Sequence, residues 1–155
     1  MAKETIRVEI TLESNLKHVE LIEVIAQTVA KQCGFGEDGL HEILMAVHEC
    51  AINAICHGNK EDLQKQVGLS LSVHPDRLEI RVRDQGKSFN PNDVPDPLDK
   101  ENLMKPAGRG ILLIQAFMDE FRVGRCENWG NEVIMTKRLP SPSQPEKGGV
   151  GREHQ

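Results

Sequence analysis

The chain contains few aromatic residues and carries an acidic charge balance. Aromatic side chains make up 3% of its 155 residues, and tyrosine is absent altogether. The formal net charge is −5, whereas non-specific binding to nucleic acid requires a positively charged surface. Binding of single strands also relies on aromatic side chains on which bases stack. We therefore expect no direct nucleic-acid partner.

Long apolar runs and paired cysteine motifs are missing as well. No hydrophobic segment approaches the roughly 20 residues of a membrane-spanning helix, and no apolar signal-peptide stretch follows the first residues. No two cysteines have the C-x-x-C spacing of a redox or zinc motif. The four are Cys33, Cys50, Cys56 and Cys126. We expect reduced thiols, a cytoplasmic protein and no membrane contact.

The remaining composition is that of an ordinary globular protein, with 38% hydrophobic and 28% charged residues. Its length predicts one domain with its own core, which we place at residues 1–139. The last segment, 140–155, is rich in Pro, Ser and Gly and almost free of apolar residues. This composition predicts a disordered C-terminal tail.

Residue periodicity predicts five strands and three helices. Apolar and polar residues alternate at 6–12, in a hairpin over 67–82, and in a second hairpin over 121–139. Helical spacing follows Ser14 as a candidate N-cap, spans about 40–57, and resumes near 110. The predicted fold class is α/β (α+β): a two-layer sandwich with a mixed, mostly antiparallel sheet and three helices on one face.

The first candidate for chemistry is a polar pair on the second predicted helix. Glu49 and Asn53 are four residues apart and therefore share a helix face. The carboxylate could accept a proton, and the amide oxygen could bind a hard cation such as Mg²⁺. The same pair would also suit an ordinary solvent-exposed helix face.

The second candidate, Asp84-x-Gly86, follows the third predicted strand. A carboxylate at a strand end can accept a hydrogen bond from the exocyclic amine of a base, and a glycine lets a ring approach the backbone. Asp and Gly are also common in plain turns. The motif alone therefore leaves both interpretations open.

The third candidate, Gly108-Arg109-Gly110, stands directly before the third predicted helix. Backbone amides at a helix N-terminus attract phosphate, and Arg109 and Lys105 could add positive charge there. A flexible joint before a helix would have the same sequence. The stretch of about 25 residues that precedes it is far longer than a normal connection, which predicts a functional or mobile segment.

In this order the three motifs resemble the GHKL-type ATP-binding fold, or Bergerat fold, of gyrase, Hsp90, histidine kinases and mismatch-repair ATPases. The chain is more closely similar to the stand-alone anti-sigma-factor serine/threonine kinases. The resemblance spans about residues 5–139. The segments that carry it are Glu49-x-x-x-Asn53-Ala54-x-x-His57-Gly58, Val82-Arg83-Asp84-x-Gly86-x-x-Phe89-x-Pro91 and Gly108-Arg109-Gly110-Ile111-x-Leu113-Ile114-x-x-x-Met118-Asp119-Glu120.

The resemblance implies ATP and Mg²⁺ as cofactors, with a role for each matching residue. Glu49 would be the catalytic general base for an attacking hydroxyl. Asn53 would contact ATP and coordinate Mg²⁺. Asp84 would bind the adenine amine, and Gly86 would let the base pack closely.

At the phosphate end, the resemblance implies that Gly108 and Gly110 supply backbone amides. Lys105 and Arg109 would add positive charge to the same site. Residues 90–109 would form a lid over the nucleotide.

The function implied is that of an ATP-dependent serine kinase in a partner-switching system. It would phosphorylate a STAS-type anti-anti-sigma protein on serine, sequester a sigma factor and form a homodimer. The family often carries Thr after a Gly near its final strand, but here Asn131 follows Gly130, and Thr136 is too distant to replace it. A nucleotide-binding regulatory module without kinase activity therefore stays open.

A third hypothesis is a detached ATPase domain of the histidine-kinase or chaperone type. The chain lacks a helix pair bearing a phospho-accepting histidine, and it lacks a transducer domain. Both absences weigh against this hypothesis.

Overall fold

The computed structural model describes residues 6–87 and 106–140. Within them the chain forms five strands, three α-helices and two short helical turns. The elements are β1 (Arg7–Glu13), a 3-10 turn (Leu16–His18), α1 (Val19–Gln32), α2 (Glu37–Ile52), a π-helical turn (Asn53–Gly58), β2 (Gln66–Val73), β3 (Arg77–Asp84), α3 (Pro106–Phe117), β4 (Glu120–Arg125) and β5 (Asn131–Arg138).

The five strands form one sheet in the order β1-β2-β3-β5-β4, and every neighbouring pair is antiparallel. Side chains alternate between the two sheet faces, so the register aligns one apolar row across all five strands. The row consists of Ile10, Leu69, Val82, Val133 and Val123. The predicted two-layer sandwich is confirmed.

The core lies between this apolar sheet face and the three helices. Fully buried side chains come from both layers, and each large one contributes about 1.5–3 kcal/mol through burial. They include Ile22, Ile43, Ile55, Leu71, Ile80 and Met135. Cys50 of α2 places its Sγ 3.3 Å from the Met135 Sδ, which joins the helical layer to the sheet.

The opposite sheet face is covered by charged side chains. Arg81 donates to Glu79 at 2.7 Å, and Arg83 donates to Glu132 at 2.7 Å. Both carboxylates belong to residues that are 9% exposed or less. These ion pairs run along β3 and across to β5, on the side away from the helices.

The predicted start of the first helix was wrong. Ser14 is fully buried and its backbone amide donates to the Lys65 carbonyl, so it belongs to the end of the sheet. Asn15 caps the 3-10 turn before α1 instead: its side chain accepts from the Lys17 amide at 3.0 Å. α1 itself begins after His18, whose side chain makes no capping hydrogen bond.

Two further boundaries differ from the prediction. The second helix does not run unbroken to position 57, because it widens into the π-helical turn at Asn53. The third helix begins at Pro106 rather than near Gly110, and proline suits the first helical position because its φ is already helical. Residues 106–109 of the expected lid therefore belong to α3.

The other expectations for these segments stay predictions. The rest of the expected lid, including Lys105, lies outside the described residues, and so does the expected disordered tail from 141 onward. The assignment of 1–139 as one domain also stays a prediction.

Candidate functional site

A pocket of about 490 Å³ lies between the sheet, the end of α2 and α3. This volume falls within the range of small-molecule sites. Its walls are mainly apolar and include Ala54, Val82, Ile111, Ile114 and Val133. Asn53, Asp84 and Asn131 supply polar atoms, so the pocket brings the first two predicted motifs together.

The Asp84 carboxylate occupies the polar end of this pocket at the last position of β3. Its Oδ1 accepts from the Gly86 amide at 2.9 Å and from the Asn131 side chain at 3.0 Å. Burial raises the pKa of Asp84, while these hydrogen bonds and the charge of Lys65 oppose the rise. The side chain is therefore a held, largely desolvated acceptor.

Three glycines surround Asp84, and each is required by close backbone approach. A Cβ at Gly58 would overlap the Asp84 carboxylate, and a Cβ at Gly86 would overlap the Gly58 carbonyl oxygen. A Cβ at Gly130 would lie 2.6 Å from the Gly86 carbonyl oxygen. The three chain segments that contain these glycines thus approach so closely that none of the three positions has room for a side chain. Of these three glycines, only Gly86 was assigned a role from the sequence.

Gly58 reaches Asp84 through the π-helical turn. The Asn59 amide donates to the Ala54 carbonyl at 2.8 Å, a bond across five residues, which is the π-helical spacing. Asn59 is fully buried, donates to the Gln66 carbonyl at 2.8 Å and accepts from the Gln85 amide at 2.7 Å. Asn59 therefore fixes this turn against β2 and the end of β3.

The polar pair of α2 lies against α3. A Cβ added to Gly110 would lie 2.6 Å from the Glu49 Oε2 and 3.4 Å from the Asn53 Nδ2. Glu49 and Asn53 are both partly exposed, as residues that meet a ligand must be. The first and third motifs are therefore neighbours, with Gly108 and Arg109 in the first turn of α3.

The helix boundary changes the interpretation of the third motif. The first four amides of a helix have no partner within it, and Gly108 and Arg109 fall in that turn, whereas Gly110 is the fifth residue of α3. Gly110 matters for a different reason: a side chain at this position would collide with Glu49. An anion site at this helix start would rely on the earlier amides.

Asn131 is the site residue that sequence reasoning missed. It is 8% exposed, pairs with Asp84 in the register of β3 and β5, and donates to the Asp84 carboxylate. The sequence marked position 131 only as the place where a hydroxyl is lacking. The antiparallel register, which is not encoded locally, was the missing signal.

The geometry suits a ligand with two different ends. The apolar slot with a carboxylate at one end fits a flat heterocycle that carries an amine. Glu49 and Asn53 offer oxygen atoms of the kind that Mg²⁺ prefers, beside the start of α3 that favours anions. This donor set fits a magnesium nucleotide, with Asn53 as the residue that would hold the ion and Glu49 beside it.

A two-layer sandwich with a pocket of this kind between sheet and helices is typical of a nucleotide-binding domain. Residues 12–137 match the family model described as a histidine kinase-like ATPase domain. The chain belongs to this family of histidine kinase-like ATPases, as the order of the three motifs led us to expect.

Similarity to individual proteins extends over most of the chain. The chain is 29% identical to the serine-protein kinase RsbW of Bacillus cereus strain AH187 over 139 residues, which cover 86% of this chain and 85% of that protein. Identity and coverage are the same for the proteins of that name from Bacillus thuringiensis subsp. konkukian strain 97-27 and Bacillus mycoides strain KBAB4.

None of the helices within residues 6–87 and 106–140 has the length and apolar character needed to cross a membrane.

Proposed function

We propose that the protein is an ATP-dependent serine kinase that also acts as an anti-sigma factor. The observation that carries this proposal is the contact of Gly110 with Glu49 and Asn53, in a chain whose Asn53 and Asp84 line one pocket. Similarity to serine-protein kinases named RsbW supports the reaction class. The activity would depend on Mg²⁺ as well as ATP.

At the base end, Asp84 accepts a hydrogen bond from the adenine amine. A Cβ at Gly58 would overlap this carboxylate, and a Cβ at Gly86 would overlap the Gly58 carbonyl oxygen, so both glycines keep Asp84 in place. The apolar walls contributed by Val82, Ile114 and neighbouring residues then contact the faces of the ring. Base recognition thus combines one carboxylate acceptor with the shape of the pocket.

At the phosphate end, Glu49 is the catalytic base. It takes the proton of a serine hydroxyl on the partner protein, and the serine oxygen bonds to the γ-phosphorus while the bond to the β-phosphate oxygen breaks. ADP leaves with that electron pair. Asn53 would hold Mg²⁺, which would supply neutralisation of phosphate charge.

Backbone amides at the start of α3 would bind the phosphates. Gly108 and Arg109 occupy this first turn, and Arg109 together with Lys105 would add positive charge. Gly110 permits α3 to lie against Glu49. Residues 90–105 would complete the lid ahead of α3.

The proposed partners rest on the resemblance to the anti-sigma-factor serine/threonine kinases and on the similarity to proteins named RsbW. We propose a STAS-type anti-anti-sigma protein as the phosphorylated substrate and a sigma factor as the sequestered protein. The kinase would act as a homodimer in the cytoplasm, with no direct contact to nucleic acid or membrane.

A labelling experiment tests the kinase activity. The purified protein is incubated with Mg²⁺, ATP labelled at the γ-phosphate and a candidate anti-anti-sigma protein, and phosphoserine is mapped by mass spectrometry. We expect Glu49→Gln to abolish labelling and to keep ATP affinity within about threefold, because the change removes the base and keeps the side-chain shape. Glu37→Gln, an exposed change on the same helix, should label normally.

Two outcomes would contradict this assignment. Normal labelling by Glu49→Gln would exclude Glu49 as the base. Tight ATP binding without labelling of any partner would favour the nucleotide-binding regulatory module without kinase activity, in which the same pocket only gates partner binding.

A further inference from the structure

Asp84 and Asn131 face each other across β3 and β5, where they are register partners. The Asn131 Nδ2 lies 3.0 Å from the Asp84 Oδ1 and 3.1 Å from the carbonyl oxygen of Lys87. An ionised carboxylate and a carbonyl can only accept hydrogen bonds. The nitrogen of the amide must therefore face them, and each of its two hydrogens has an acceptor.

This arrangement divides the two oxygens of the Asp84 carboxylate. Oδ1 receives the Gly86 amide and the Asn131 side chain. Oδ2 is the oxygen nearer to Gly58, a residue that lines the pocket. The Asn131 backbone amide also donates to the carboxylate, and together these donors hold it in a fixed direction.

We propose that Asn131 is a positioning and specificity-determining residue, which fixes the Asp84 carboxylate for a 6-aminopurine nucleotide and ties it to the backbone of Lys87. The inference rests on the nucleotide site proposed above. Lys87 also lines the pocket, so one amide couples the base-binding carboxylate to a second wall. A threonine hydroxyl at position 131 has one hydrogen and serves only one of the two acceptors.

The consequence is discrimination between a 6-amino and a 6-oxo purine. The amine of adenine donates a hydrogen bond to the Asp84 carboxylate. The 6-oxo oxygen of hypoxanthine or guanine is an acceptor, so the negative carboxylate would repel its lone pairs. Without the Asn131 side chain the carboxylate keeps the backbone hydrogen bonds from Gly86 and Asn131. It is then held less firmly, so this preference falls. Polar groups built to meet one ligand reject another most strongly when they cannot rearrange.

Calorimetric titration with ATP and inosine triphosphate tests the inference. We expect the wild type to bind ATP at least about tenfold more tightly than inosine triphosphate. Asn131→Leu should weaken ATP binding by at least about tenfold and inosine triphosphate much less, so that the ratio of the two affinities falls. A merely structural residue would lower both affinities alike.

Asn131→Thr is the rescue variant, since its hydroxyl can still donate to Asp84. Its affinity ratio should lie between those of the wild type and Asn131→Leu. Asn128→Gly is the matched control: Asn128 is an exposed turn residue with a φ of 68°, which glycine adopts freely. The control should keep the wild-type ratio.

A second measurement does not depend on any variant binding nucleotide. The side-chain NH₂ of Asn131, assigned in ¹⁵N-edited spectra by its loss in Asn131→Thr, should show slow solvent exchange for both hydrogens. Rapid exchange of either hydrogen would overturn the pair of hydrogen bonds that Asn131 donates to Asp84 and Lys87.

The outcomes separate the two proposals. A wild type that binds neither nucleotide would overturn the proposed function and this inference with it. A wild type that prefers ATP, with the same preference in Asn131→Leu, would overturn the role of Asn131 alone. A Thr variant identical to the wild type would exclude the need for two donated hydrogens.

Discussion

The backbone of Gly110 lies so close to the Glu49 carboxylate that a methyl group at position 110 would be 2.6 Å from the Glu49 Oε2. This contact joins α3 to the polar face of α2. It also means that the position of Glu49 depends on a residue that carries no functional group of its own.

Gly110→Ala should separate activity from stability. The added methyl displaces the end of the flexible Glu49 side chain, and a misplacement of about 1 Å can cost on the order of 100-fold in rate. Alanine is more favourable than glycine in a helix by about 1 kcal/mol. This gain offsets the cost of displacing the Glu49 side chain, so the free energy of unfolding should change little. Labelling of a partner serine and chemical denaturation measure the two effects.

The matched control is Gly124→Ala, since an added Cβ there meets no atom within 4 Å. It should keep normal labelling. If Gly110→Ala also labels normally, Glu49 tolerates displacement and is not tightly positioned.

Removal of Mg²⁺ should affect ATP binding through Asn53. We expect chelation by EDTA to weaken ATP binding by the wild type. Asn53→Leu should bind ATP weakly whether or not the metal is present, because it lacks the oxygen that would coordinate the ion. Calorimetry with ATP in both conditions measures this difference.

Adenosine, which has no phosphates, provides the control for Asn53. Its affinity should not respond to EDTA and should be similar in both proteins. An Asn53→Leu variant that keeps the full metal dependence of ATP binding would show that another residue holds the ion.

Asp84→Asn should stabilise the nucleotide-free protein at neutral pH while removing ATP binding. Burial raises the pKa of Asp84. A carboxyl group with a raised folded pKa adds stability while protonated, and this contribution is lost as pH rises through the raised pKa. The variant should therefore match the wild type below the ordinary carboxyl pKa, about 3.9, and exceed it at higher pH.

Denaturation at a series of pH values measures the difference in the free energy of unfolding between these two proteins. The advantage of Asp84→Asn should grow from acidic to neutral pH. A variant that is less stable than the wild type at neutral pH would show that the hydrogen bonds from Gly86 and Asn131 outweigh the cost of burial.

Lys137 should contribute to stability rather than to nucleotide binding. Its Nζ donates to the Glu42 carboxylate at 2.7 Å and to the Phe117 carbonyl at 2.6 Å, which ties β5 to α2 and to the end of α3. Its side chain is 13% exposed. Lys137→Met should lower the free energy of unfolding by about 1–3 kcal/mol, because Phe117 and Glu42 lose a charged donor.

Lys17→Met is the comparison for Lys137, because Lys17 is exposed. It should change the free energy of unfolding by less than about 0.5 kcal/mol. Equal effects of the two substitutions would exclude the buried contacts as the source of stability.

Local sequence spacing was enough to predict part of the site. Glu49 and Asn53 share a helix face because of helical periodicity, and Asp84 stands at a strand end because alternation stops there. The two hairpins followed from alternation as well. These features depend on residues within a few positions of each other.

The parts that were missed depend on contacts between distant segments. Asn131 meets Asp84 only through the register of β3 and β5, and Gly58 and Gly130 matter only because other backbone atoms approach them. Lys137 likewise meets Glu42, 95 positions earlier in the chain. Spacing along the chain carries no information about such encounters.

The π-helical turn makes the site sensitive to insertions and deletions within the turn itself. An α-helix turns by about 100° per residue, so deleting one residue between Asn53 and Gly58 would swing the Gly58 backbone away from the Asp84 carboxylate beside it. A substitution acts at its own position, as at Gly58, where a Cβ would overlap that carboxylate, whereas a single insertion or deletion changes the phase of everything that follows. Length variation among descendants of this sequence should therefore avoid residues 53–58 and collect elsewhere.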